Sequence, residues 1–199
     1  MNQTIEKELS PRQKKSLETR KRIFDATYQL VNQYGDAYTV QDVCRLASVS
    51  VGSFYHFYKS KEEVTSDLYL FFDAHLEKEF TILPEEPVAR LKAITREMMR
   101  YSLEWGLPFL RLSCSQTSGE KEIDLVHERS VSYQEIVRTL KAGEAQGVFC
   151  CPRGEEYYAR FLITMFRGTL HWWTVQHGNF DGMERMEQYT EDFLKIITE

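Results

Sequence analysis

Apolar positions recur at three- and four-residue spacing along most of the chain, and strict apolar/polar alternation is missing. The pattern predicts helices and no sheet. The first stripe, Ile23, Thr27, Leu30, Val31 and Tyr34, belongs to a helix from about Ser16 to Tyr34, closed by Gly35. Thr39 then caps a short helix, with Asp42 at the reciprocal position of a capping box and Val43, Leu46 and Ala47 on one face. Ser48, Val49 and Ser50 make a polar break. Ser50 caps a second short helix that carries Gly52 and then Phe54, Tyr55, His56, Phe57 and Tyr58. Ser60 and Glu63 form another capping box, so a third helix begins at once. Two short helices joined by a turn of three or four residues are the helix-turn-helix layout, whose second helix enters the major groove of DNA.

The third of these helices runs from Ser60 to about Ile82, roughly 33 Å at the standard rise per residue. Val64, Leu68, Phe71, Phe72, His75, Leu76 and Phe80 line its expected buried side, and Pro84 and Pro87 stop it. Val88 to Trp105 follows, with Leu91, Ile94, Met98, Tyr101 and Leu103 apolar, and Gly106 and Pro108 break it. Shorter or longer helices are expected over Phe109–Thr117, Glu120–Gln146, Gly154 or Glu155 to Gln176, and Asp181 or Gly182 to Ile197. No repeat or low-complexity tract interrupts this series. The expected fold is all-α: a three-helix DNA-binding domain over residues 1–62 and a helical domain over residues 63–199.

The segment around the two short helices resembles the TetR family of one-component transcriptional regulators. The resemblance rests on Thr39, Val43, Leu46, Ala47, Val49, Ser50, Gly52, Phe54, Tyr55, Phe57, Tyr58, Lys59, Lys61 and Glu62, and covers roughly residues 16 to 66. Three positions depart from the family pattern. Ser48 stands where glycine is usual, Phe54 where leucine is usual, and Phe57-Tyr58 reverses the customary aromatic order. Phe57 has no donor or acceptor for the phosphate that the family's first aromatic touches in several members. The resemblance implies DNA-binding roles for Thr39, Val40, Gln41, Ser50, Val51, Gly52, Ser53, Tyr55, His56 and Lys61. Thr39 sits at a helix N-terminus, which favours a phosphate. Gln41 can pair with adenine, and Val51, Ser53 and His56 are placed to face bases. Tyr55 and Lys61 are mapped onto phosphates, and Gly52 permits close backbone approach.

Charge agrees once its distribution is read. The net charge of −5 argues against a nucleic-acid binder, yet residues 1–60 hold nine Lys/Arg against six Asp/Glu, leaving −8 on the remainder. A basic module on an acidic body fits a DNA reader attached to something else. No run of about eighteen apolar residues predicts a membrane span. The polar start MNQTIEKELSPRQKK lacks a secretory h-region, so a cytoplasmic address is expected. Cys44, Cys114, Cys150 and Cys151 show no zinc spacing and are expected to be reduced there, with Cys44 acting as a small hydrophobe.

Beyond the DNA module, aromatic and sulfur side chains are abundant. Phe71, Met98, Tyr101, Trp105, Phe109, Tyr133, Phe166 and Trp172 are the candidates for lining a small-molecule pocket, although such stripes more often form ordinary core. The resemblance implies a homodimer joined through the last two helices, to which Phe161, Met165, Gly168, Leu170, Trp172, Met186, Tyr189, Phe193 and Ile197 can contribute. No H-E-x-x-H, G-x-S-x-G or phosphate-loop motif occurs, and the pairs His75/Glu79 and Asp124/His127 stand alone, so neither catalysis, a metal nor a cofactor is expected. The reading is a homodimeric regulator of double-stranded operator DNA, a repressor released by a small-molecule effector. Two alternatives stay open: a helical regulator controlled by a protein partner or by nothing, and an all-α enzyme built on a Cys/His site.

Overall fold

The computed structural model describes residues 10–115 and 130–198, and every regular element among them is helical. The chain divides into two compact units, Met1–Leu68 and Tyr69–Glu199.

In the first unit, α1 spans Pro11–Tyr34, α2 spans Val40–Ala47 and α3 spans Val51–Phe57. Helix α1 begins five residues before the expected Ser16. Ser10 and Gln13 close a reciprocal capping box, and Pro11 occupies the first turn, where its missing N–H is no loss. Ile23, Ala26, Thr27, Leu30 and Val31 are buried, but Tyr34 is not. Gly35 follows with φ +62° and ends the helix, and Tyr34 is left half exposed. The capping box of α2 forms as expected: Thr39 Oγ1 accepts from Asp42 N, and Asp42 Oδ2 accepts from Thr39 N. Leu46, expected inward, is half exposed, because Val43, Cys44 and Ala47 take the buried side.

Helix α4, Lys61–Glu79, opens with only part of its expected box. Ser60 Oγ accepts from Glu63 N, while Glu63 Oε2 reaches back to Lys59 N instead of Ser60 N. Val64, Thr65 and Leu68 are fully buried. The helix ends three residues early, and Phe80–Ile82 tighten into a 3-10 turn. Phe71 lies on the expected apolar stripe but is half exposed, one side of its ring approaching Trp105 with centroids 6.4 Å apart. The side chain of Phe72 lies outside the described residues.

The second unit packs α5 (Pro87–Glu104), α6 (Leu107–Ser115), α7 (Val131–Ala145), α8 (Glu155–Val175) and α9 (Gly182–Thr198). Helix α5 lies against α7 and α9, and α8 against α6, α7 and α9. Leu91, Ile94, Met99, Ile136, Leu140, Leu162, Met186 and Phe193 fill the core. Pro108, expected as a breaker, sits in the first turn of α6, where proline is tolerated. Within the expected stretch Glu120–Gln146, α7 begins at Val131: Ser130 adopts an extended backbone and its Oγ accepts from Tyr133 N. Residues 116–129, with the Asp124/His127 pair, lie outside the described residues.

One buried ion pair ties this unit together. Arg90 donates from Nε and Nη2 to Glu135 Oε1, at 2.8 and 2.6 Å. Its guanidinium also donates to the carbonyls of Phe80, Leu83 and Pro84. Arg138 holds the other Glu135 oxygen at 2.6 Å. A carboxylate only 5% exposed is thus fully paired, which is the condition for burying a charge without a large penalty.

Candidate functional site

The helix-turn-helix is held in shape from inside. Phe54 of α3 is fully buried, and Tyr58, directly after α3, is buried with it. The Tyr58 hydroxyl accepts from Arg20 Nε at 3.2 Å and donates to Asp67 Oδ2 at 3.0 Å, while Arg20 Nη2 reaches the same carboxylate oxygen at 2.6 Å. These bonds cross-link α1, the end of α3 and the first turns of α4. They raise the pKa of Arg20, the Tyr58 bond first and Asp67 second, while burial raises that of Tyr58. The reversed Phe57-Tyr58 order therefore has a structural consequence: the tyrosine of the pair is buried, and its hydroxyl joins a partly buried network.

The turn carries a second departure. Ser48 closes α2 in the left-handed region, φ 53° and ψ 50°, where glycine is at ease and a Cβ is disfavoured. Its carbonyl lies 3.4 Å from Arg22 Nη1. Ser50 then caps α3, its Oγ accepting from Ser53 N and sharing a second bond with Ser53 Oγ at 2.9 Å.

With Phe54 and Tyr58 turned in, α3 presents Val51, Gly52, Tyr55 and His56 outward, all exposed, and Ser53 half-buried. Gln41 and Thr39 of the α2 end are exposed as well, and Val40 is half-buried. Bonds from the Thr39 side chain and backbone hold the Asp42 carboxyl below its usual range, with Arg45 adding to the effect. Gly52 has ordinary helical geometry, and a Cβ built there would meet only Ser50 Oγ, at 3.9 Å. Lys61 stands apart from this face. Its Nζ donates to Asp36 Oδ1 at 2.8 Å and Asp36 O at 2.9 Å, and lies 5.0 Å from the Tyr38 ring centroid. It staples the turn after α1 to the start of α4.

In the second unit, four of the pocket candidates form one aromatic chain. Trp105 meets Tyr101 edge-on at 6.0 Å, Phe109 at 4.4 Å and Phe71 at 6.4 Å. His75, which the pocket candidates did not include, stacks on Tyr101 at 4.0 Å with 15° between planes. Its i, i+4 spacing from Phe71 on α4 was the available signal. Met98, Tyr133 and Phe166 are buried on α5, α7 and α8, with Arg160 over the Tyr133 ring at 5.9 Å. Trp172 is instead half exposed on α8. Among the described residues, no third ligand joins His75 and Glu79 into a metal-binding group.

Of the interface candidates, Phe161, Gly168, Trp172 and Tyr189 are exposed and Met165 is partly so. Leu170, Met186, Phe193 and Ile197 are not available, because they face neighbouring helices in the same chain, as in the stacked Phe161–Phe193 pair at 5.9 Å. The cysteines are mostly quiet. Burial raises the Cys44 thiol, and burial together with Glu144 and Glu155 pushes Cys151 up to about 11. Cys150 is exposed, and the side chain of Cys114 lies outside the described residues.

Residues 23–68, which hold both short helices with Tyr58 and Asp67, match the family model described as bacterial regulatory proteins, tetR family. The chain carries a tetR-family helix-turn-helix domain. Solved structures extend the likeness of fold to the remaining helices. The ketosteroid transcriptional regulator KstR2 of Mycobacterium tuberculosis is 19% identical, with TM-score 0.63 over 90% of this chain and 95% of that one. The tetR-family regulator PfmR of Thermus thermophilus is 22% identical, with TM-score 0.65 over 88% and 95%. NalD, the secondary repressor of the MexAB-OprM multidrug efflux pump in Pseudomonas aeruginosa, is 17% identical, with TM-score 0.67 over 93% and 98%. No curated protein matches the chain in sequence. No helix among the described residues is long and apolar enough to cross a membrane.

Proposed function

We propose that the chain is a homodimeric repressor that holds operator DNA through α3 and releases it when a small molecule binds among the helices of the second unit. The observation that carries the DNA half is Gly52. Glycine inside a helix costs about 1 kcal/mol against alanine. Nothing within 4 Å except a serine hydroxyl makes that residue necessary, so its use lies outside the chain. A bare backbone on the outward face of a recognition helix is what a close approach to DNA requires.

Gly168 supports the dimer by the same logic. It is exposed in mid-α8, and a Cβ there would meet nothing within 4 Å. Tyr157, Phe161, Trp172 and Val175 are exposed on the same helix, an apolar stripe suited to close crossing by a second copy. The aromatic chain Phe71–Trp105–Tyr101 with Phe109 supports an apolar effector site, since such pockets are mostly apolar with few polar groups. The name given to NalD, a repressor, favours that mode of action.

The test is linkage. An effector that takes the operator-bound population from 99:1 to 1:99 must prefer the released form by about 5.5 kcal/mol. Operator must then weaken effector binding by the same factor. Effectors are found as compounds that raise the melting temperature of the free protein, and each is titrated with and without saturating operator. Unchanged effector affinity at saturating operator contradicts the proposal and favours control by a protein partner.

A further inference from the structure

The outward face of α3 lacks the residue type that most often reads DNA. From Leu46 to Tyr58 there is no arginine or lysine. The commonest specific base contact, a bidentate Arg or Lys on the O6 and N7 edge of guanine, therefore has no donor on this helix. Ser53 is partly committed to the chain itself, since its hydroxyl shares a hydrogen bond with the capping Ser50. In the first turn stands Val51, 41% exposed although its neighbours Phe54 and Tyr58 are buried. An aliphatic side chain recognises one feature of the major groove, the C5 methyl group of thymine. Beside it, Gly52 leaves α3 without a Cβ that would hold the helix off the groove floor.

We infer that Val51 reads a thymine methyl group in each operator half-site, and that α3 selects an A·T-rich core in place of a guanine-anchored one. This rests on the DNA-binding role proposed above. Two features separate Val51 from the other exposed apolar side chains of its unit, such as Leu17 and Leu46. It lies on the helix proposed to enter the groove, and it adjoins Gly52 on that helix.

The probe is a duplex selected by the full-length protein from a random pool, with each thymine then replaced singly by deoxyuridine, which differs only by the lost methyl. One replacement per half-site is expected to weaken binding about fourfold, the worth of one buried methyl-sized group. The Val51→Ala protein should bind the unmodified duplex more weakly and show no further loss at that position. Two results overturn the inference: no single deoxyuridine that matters, or a loss of equal size in wild type and Val51→Ala. A protein that selects no sequence from the pool overturns the underlying DNA-reading role as well.

Discussion

Gly52 and Gly168 lie on exposed helix faces where an added methyl group would meet at most a serine hydroxyl at 3.9 Å, whereas Gly143 and Gly182 lie where it would strike the Phe149 ring or come within 2.7 Å of the Met99 methyl. Each gives up helix propensity relative to alanine. In α7 and α9 the cost is offset within the chain, because the missing side chain lets Phe149 and Met99 pack. On α3 and α8 nothing inside the chain offsets it. The difference separates glycines that packing within the chain accounts for from glycines that it does not, and sequence alone does not make it.

The comparison can be broken most forcefully in the interior. Arg90→Ala removes the main partner of the buried Glu135 and the donor to three carbonyls, so a loss of about 3 to 5 kcal/mol is expected in denaturant unfolding. A loss below about 1 kcal/mol, the worth of an ordinary exposed pair, would mean that Arg138 alone holds the carboxylate. Gly143→Ala should destabilise by about 1 to 3 kcal/mol, the usual cost of overpacking. A neutral result there would show that Phe149 gives way freely, and would remove the contrast with Gly52. At the turn between α2 and α3, Ser48→Gly should stabilise by about 1 kcal/mol, since it relieves a left-handed serine. Thermal melting checks the sign. A lower melting temperature would mean that serine gains more at this position than its backbone strain costs.

The first unit was the more legible in the sequence, for a physical reason. Its caps are local: Thr39 with Asp42, and Ser50 with Ser53, declare themselves within three residues. The start of α1 was missed because Ser10-Pro11-Gln13 is as local a signal but sits in a polar stretch without an apolar stripe. Which side of a helix is covered was harder. Tyr34, Leu46 and Phe71 have the right spacing, yet burial depends on what packs opposite, which spacing does not contain. Lys61 shows the same limit at the candidate site. Its ammonium pairs with Asp36, and only the structure brings residues 25 positions apart together. The Arg20–Tyr58–Asp67 network was equally hidden, because its members lie on α1, just after α3 and on α4.

The central claim is that the outward face of α3 is shaped for DNA and not for folding, and Gly52→Ala tests it with two readouts on one protein. Alanine is the better helix former, so the melting transition should move up, by an amount matching about 1 kcal/mol or less. Affinity for a duplex selected by the wild-type protein should fall at the same time, because the new methyl group holds the helix off the groove. Stability and affinity moving in opposite directions is the predicted result. A Gly52→Ala protein that is more stable and binds the duplex as tightly as wild type would contradict the account.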